Sequence, residues 1–259
     1  MRKNKFISSL TWELKNLFRF PLPGVLLAVF TYMIFLPRGG GYGFTVSTEN
    51  IVWEEITRNI SFHAIYRAAR FSFYVYVPMG IFASIFATLV FAYEIENGVL
   101  KAYLSHPISR RSVFLSKLSS CFLIVFTTFS ASLLAHAFLQ DAGNAFYVIL
   151  STDLLLRLLL TVALQSLFMV SIAVSFSLYT GKTSVSLVGS FATIYLIQLL
   201  GESADLKFLP PTYFRELAYF LFAAAPNLSR FSNFAAIPIT SAFLIIFSYL
   251  FFSRRLEIG

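Results

Sequence analysis

Few residues in this chain of 259 could do covalent chemistry. Cys121 is the single cysteine, so the chain can form neither an intrachain disulfide nor a cysteine-ligated zinc site. The three histidines, His63, His106 and His136, stand far apart and lack the spacing of metal ligands. The pattern G-x-x-x-x-G-K-[ST], whose backbone amides cradle phosphates, does not occur. If the protein works with ATP, another polypeptide must therefore bind the nucleotide, and no cofactor is expected in this chain. The long apolar segments show no Asp, Glu or Lys expected to be buried. That disfavours a carrier driven by protons or sodium, which usually needs intramembrane ionisable groups.

Charge is instead concentrated between two apolar spans, in Tyr93 to Leu118, YEIENGVLKAYLSHPISRRSVFLSKL. Glu94 and Glu96 close the first span. Gly98 releases the chain from regular helix, because glycine loses the most backbone entropy there. Val99 to Leu104 make a short apolar turn that includes Leu100, Tyr103 and Leu104. Pro107 forbids helix continuation and pushes His106 toward an extended backbone. Ser109 suits the N-cap of the next helix, and Arg110, Arg111 and Lys117 lead into the next span. Connection alone needs only a few polar residues. A helix-sized apolar centre flanked by charge fits a docking element for a soluble partner. The plainer alternative is a basic loop that only fixes topology.

The run E-x-E-x-G-x-L-x-x-Y-L-S-x-P-I-S-R-R, continuing to Leu115, Ser116 and Lys117, resembles the cytoplasmic loop of ABC-2 type transporter permeases. Glu94, Glu96, Gly98, Leu100, Leu104, Ser105, Pro107, Ser109, Arg110 and Lys117 carry the likeness. Val99 stands where threonine is usual, and Tyr103 where an aliphatic residue is usual. The resemblance implies an all-α membrane protein with an amphipathic elbow helix and six transmembrane helices. It implies a permease subunit energised by a separate ATPase that holds the ATP and magnesium, with a second permease copy or a homologue completing the pathway. Glu94, Glu96, Gly98, Val99, Leu100, Tyr103, Leu104, Pro107 and Arg110 would then couple to the ATPase. Spans two and five would line the pathway, through Pro78, Phe82, Ile85, Ser186, Ser190 and Thr193. The family mostly exports lipids, glycans, drugs or peptides, and the phenylalanine-rich spans favour an amphipathic or lipid-like substrate.

Two other classes compete. Trp53-Glu54-Glu55-Ile56-Thr57-Arg58 resembles the E-E-x-x-x-R motif of CAAX-type intramembrane proteases, but the arginine is one residue too close. His106 and His136 do not fall in that family's later motifs, so Glu54 and Glu55 are better read as the solvated face of a surface helix. A non-transporting membrane scaffold or assembly factor is the other alternative.

Composition says what kind of scaffold holds these residues. Hydrophobic residues make up 58% of the chain and charged residues 12%. Soluble domains run nearer ~45–50% and ~25%. A soluble fold could not cover this much apolar surface with so few charges, and the 31 phenylalanines suit lipid contact. The net charge of +8 does not point to nucleic acid, because the basic residues flank apolar spans rather than lining one face.

Residues 1–20 read as a basic amphipathic helix on the membrane surface, with Phe6, Leu10, Leu14, Leu17 and Phe18 on one face and Lys5, Glu13, Lys15 and Arg19 on the other. No cleavable signal peptide is evident. Six spans come after it, at about residues 18 or 22 to 36, 71–93, 119–139, 157–178, 184–200 and 234–252. Pro78 and Gly80 predict a kink in the second. Gly80, Ser84 and Ala87 form a small-residue stripe on it. In the fifth, Ser186, Ser190 and Thr193 share a face whose plainer use is helix packing. Segment 201–233 contains an apolar run, Leu217 to Ala225, too short to span, and reads as interfacial or re-entrant on the extracytoplasmic side.

Twelve of the twenty lysines and arginines fall on the N-terminus, the loop at 94–118, the Lys182 turn and the C-terminus, against four glutamates. The eight basic residues of the opposite side meet eight acidic ones. The positive-inside rule then puts both termini and the loop in the cytoplasm, in a multi-pass protein of the plasma membrane.

Overall fold

The computed structural model describes residues 5–17, 75–100, 109–140, 154–203, 209–210, 212–214, 217 and 235–255. Among these there are only helices and their turns. They are α1 (Lys5–Leu17), α2 (Tyr76–Glu96), α3 (Arg110–Gln140), α4 (Leu154–Thr180), α5 (Thr183–Ser203) and α6 (Ala236–Arg255). Five of them, α2 to α6, are long and apolar enough to cross a membrane. They correspond to the second to sixth expected spans. The expected first span lies outside the described residues, as do Glu54, Glu55, Arg58, His63 and the loop centre with Tyr103, Leu104, His106 and Pro107.

Helix ends obey local chemistry. Ser109 caps α3: its Oγ accepts the Ser112 N–H at 3.2 Å. The helix thus starts nine residues before the apolar stretch, with Arg110 and Arg111 in its first turn. Gly98 ends α2 with φ +71°, and its N–H reaches the Ile95 carbonyl at 3.2 Å. Gly181 does the same for α4, with φ +61° and its N–H on Ser177 O at 3.1 Å. Glycine takes this left-handed backbone without the Cβ penalty that other residues meet.

α4 sits at the centre, packed on α2, α3, α5 and α6, while α1 lies on α3. Phe82 meets Phe86 and Phe129, with ring centroids 4.6 and 5.8 Å apart. Hydroxyls cross between helices: Ser175 to Ser248 at 2.8 Å joins α4 to α6, and Ser177 to Ser186 at 2.7 Å joins α4 to α5. Small and hydroxyl residues are what tight helix packing in lipid uses, since lipid tails are as apolar as leucine. Burial is uneven. α2 and α4 bury 67% of their most apolar stretch, α5 and α6 only 22%. The outer faces of α5 and α6 expose Val188, Leu196, Ile239 and Phe243.

Further along α2 from Pro78 and Gly80 the helix widens into a π turn at Thr88–Ala92. Pro78 lies in the first turn of the described helix, where its missing N–H breaks no intrahelical bond. Gly80 serves close approach: a Cβ there would stand 2.7 Å from Ile194 Cγ2. Beyond α5, Thr212 Oγ1 donates to Gly201 O at 3.3 Å, and Tyr213, Phe214 and Leu217 are buried in the core.

Candidate functional site

The charged loop is held at both ends by contacts with three other parts of the chain. α2 brings Glu94 and Glu96 to its last turn, and α3 brings Arg110 and Lys117 to its beginning. α1 crosses α3 so that Ser9 Oγ lies 3.0 Å from Ser116 Oγ.

Lys117 is fully buried, and its ammonium is 2.8 Å from both Glu13 Oε1 and Glu94 Oε2. Glu13 is 1% exposed and Glu94 8%. A carboxylate at a helix C-terminus opposes the macrodipole by ~0.3–1 kcal/mol. Breaking a buried ion pair by removing one partner costs ~3–5 kcal/mol. The ion pair therefore decides where Glu94 sits. Lys117, which leads into the third expected span, lies inside the chain. The cation that compensates Glu94 is Lys117. Glu13 belongs not to the solvated face of α1 but to its buried face.

Glu96 has a different partner. Its Oε2 accepts the Thr183 backbone N–H at 2.9 Å and also the Thr183 hydroxyl. A carboxylate of α2 thus caps the N-terminus of α5, where the dipole favours negative charge. On the other flank, Arg110 Nη1 donates to Ser253 O at 2.9 Å, satisfying a carbonyl in the last turn of α6. These contacts gather α1, the end of α2, the start of α3, the Lys182 turn and the end of α6 at one end of the bundle. They are the segments that the charge count assigned to one side.

The apolar part of the loop divides. Val99 is 40% exposed, but Leu100 is 1% exposed and part of the bundle's own core. Leu100 is therefore an internal anchor and not a surface contact. Tyr93 and Asn97 add to the exposed face beside Val99, with Asn97 Nδ2 donating to Tyr93 O at 2.9 Å.

The residues expected to line a pathway are mostly packed inside the chain. Phe82, Ser186 and Ser190 are buried, and Pro78, Ile85 and Thr193 are half-buried. Thr88 Oγ1 lies 3.0 Å from Ser186 Oγ, which places a hydroxyl of the π turn against α5. Ser190 and Thr193 hydroxyls donate back along their own helix, to Ser186 O and Gly189 O. Among the described residues, no group of three or more His, Cys, Asp or Glu side chains could hold a metal ion.

An all-helical bundle whose described helices include five long and apolar enough to cross a membrane is a multi-pass membrane protein. The model of the ABC-2 family of transporter proteins matches residues 17–255, and the chain belongs to that family. It is a permease subunit of an ABC transporter, a type of system that couples a membrane subunit to an ATPase. Comparison with curated proteins finds no match.

Proposed function

We propose that this chain is the membrane-embedded subunit of an ATP-driven exporter of an amphipathic or lipid-like substrate. Two copies, or this chain and a homologue, enclose the pathway within the lipid bilayer. Two ATPase subunits, which hold the ATP and magnesium, dock on the loop at 94–118 from the cytoplasm. Both termini face the cytoplasm of a cell whose plasma membrane the protein spans. Nucleic acid has no part in this reading.

The observation that carries it is the bracing of the loop. Glu94, Glu96 and Arg110 contact α3, α5 and α6 respectively, besides Glu13 of α1 through Lys117. A push on residues 99–104 therefore has short polar routes into several helices. Such a push would shift the balance between two packings of the bundle. Opening a path between α2 and α5 would separate the Thr88 and Ser186 hydroxyls.

The test is co-expression with its ATPase, purification through a tag on the permease, and mass spectrometry of bound lipids and small molecules. The expected result is a stoichiometric complex with an enriched amphipathic ligand. A permease that purifies alone, with no ATPase retained, would favour a scaffold instead.

A further inference from the structure

We infer that Lys117 is a positioning residue that clamps the elbow helix α1 to the roots of the charged loop, so that α1 and the loop-facing ends of α2 and α3 move as one body. One ammonium, fixed on α3, lies 2.8 Å from a carboxylate of α1 and 2.8 Å from a carboxylate of α2. All three side chains are withdrawn from solvent, at 0%, 1% and 8% exposure for Lys117, Glu13 and Glu94. Screening by salt is weak for such a pair, and each charge is costly to leave alone.

The arrangement is asymmetric. Removing Glu94 leaves Lys117 paired with Glu13, and removing Glu13 leaves it paired with Glu94. Removing Lys117 sets two buried carboxylates against each other from different helices. Among the described residues, α1 leans chiefly on one helix. It packs only on α3 among its principal contacts, its apolar side chains Phe6, Leu10, Leu14 and Leu17 are half-buried, and Ile7 and Trp12 are exposed. Two polar links tie it to α3, Ser9–Ser116 and Glu13–Lys117. The ionic one sits where the loop begins and ends. A surface helix tied there is tied to the coupling element, not merely to the bundle. The clamp's part in transport rests on the function proposed above, but the clamp itself can be measured on the permease alone.

The experiment uses the full chain in lipid nanodiscs, with Cys121→Ser and cysteines at Ser9 and Ser116, whose hydroxyls stand 3.0 Å apart. Copper–phenanthroline closes the disulfide, and loss of maleimide labelling after denaturation gives its rate. Lys117→Met and Glu13→Gln should each slow closure by about tenfold or more, since both remove the α1–α3 ion pair. Glu94→Gln, which leaves that pair intact, should stay within about twofold of the parent. Exchanging the charges with Glu13→Lys and Lys117→Glu, in a Glu94→Gln background so that the new carboxylate at 117 does not face Glu94, should restore closure, which a purely steric role would not do. If Lys117→Met does not fold, Glu13→Gln still decides, because its lysine keeps a partner. Closure at the parent rate in Glu13→Gln, or no recovery in the exchanged variant, overturns the clamp. With the ATPase bound, the closed disulfide should leave ATP hydrolysis intact, since a unit that moves together loses nothing by being bonded. Loss of hydrolysis on closure would refute the one-body motion. Failure of the ATPase to bind at all would refute the proposed function and leave the crosslinking result standing.

Discussion

Glu96 of α2 caps the first turn of α5 by accepting both the backbone N–H and the hydroxyl of Thr183. The two residues are distant in sequence, yet the carboxylate does what an N-cap side chain does from within a helix. It satisfies one of the amides that a helix start leaves without an intrahelical partner.

Glu96→Ala should release the α4–α5 turn. The expected readout is faster hydrogen exchange at the Thr183 amide and its neighbours, measured by mass spectrometry in nanodiscs. Thr183→Val keeps the N–H contact and loses the hydroxyl, so it should give a smaller increase. Equal exchange in all three proteins would show that the contact does not restrain the turn.

Much of this was legible in the sequence, because each signal was local. Ser109 as a cap and Gly98 as a helix end need only a few neighbours to act. Spans two to six are written in runs of apolar residues, and their described helices agree to within a few residues except at the start of α3. There the helix runs on past the apolar stretch into Arg110 and Arg111, and polarity alone marks where a span leaves lipid, not where a helix begins.

The Lys117 cluster was half legible. Val113, Phe114, Lys117, Cys121, Ile124 and Val125 fall at three- and four-residue spacing and are all buried. Lys117 is thus on the inward stripe of α3, and Glu13 shares a stripe with Leu10, Leu14 and Leu17 in the same way. Averaging over a span hides a single charge on such a stripe. What no periodicity could give is the partner, because Glu13, Glu94 and Lys117 meet only through the tertiary packing of three helices.

Two glycines, one within α2 and one at its end, should respond to substitution for opposite reasons. At Gly98 no atom of the described residues stands within 4 Å of an added Cβ, but φ is +71°. Gly98→Ala should cost about 1–2 kcal/mol through backbone strain, and Gly98→Asn less, because asparagine tolerates that region. At Gly80 the added Cβ meets Ile194 Cγ2 at 2.7 Å. Gly80→Ala should cost about 1–3 kcal/mol by overpacking, and Ile194→Ala in the same chain should recover part of it. Thermal unfolding midpoints in detergent measure both. Additive losses in the double variant would mean that α2 and α5 do not press together there.

The sharpest division lies within the loop's apolar centre, between Leu100 and Tyr103. Leu100 is 1% exposed and packs in the permease's own core. Leu100→Ala should destabilise the isolated permease by about 2–5 kcal/mol, the usual range for emptying a buried leucine site. Tyr103 lies outside the described residues, and under the function proposed above it is a contact for the ATPase. Truncating an aromatic anchor at an interface costs about 2 kcal/mol or more. At 1.4 kcal/mol per decade that is a loss of about thirtyfold in affinity. Tyr103→Ala should therefore leave the unfolding midpoint of the permease alone near the parent value while weakening retention of the ATPase and uncoupling its hydrolysis. Arg111→Ala, which removes an exposed charge at the start of α3, should change neither by much. Binding titrations with the purified ATPase, set beside unfolding of the permease alone, separate the two effects. If Tyr103→Ala left both complex assembly and coupled hydrolysis intact, residues 99–104 would be a connector. The bracing of Glu94, Glu96 and Arg110 would then serve the stability of the bundle rather than the transmission of force.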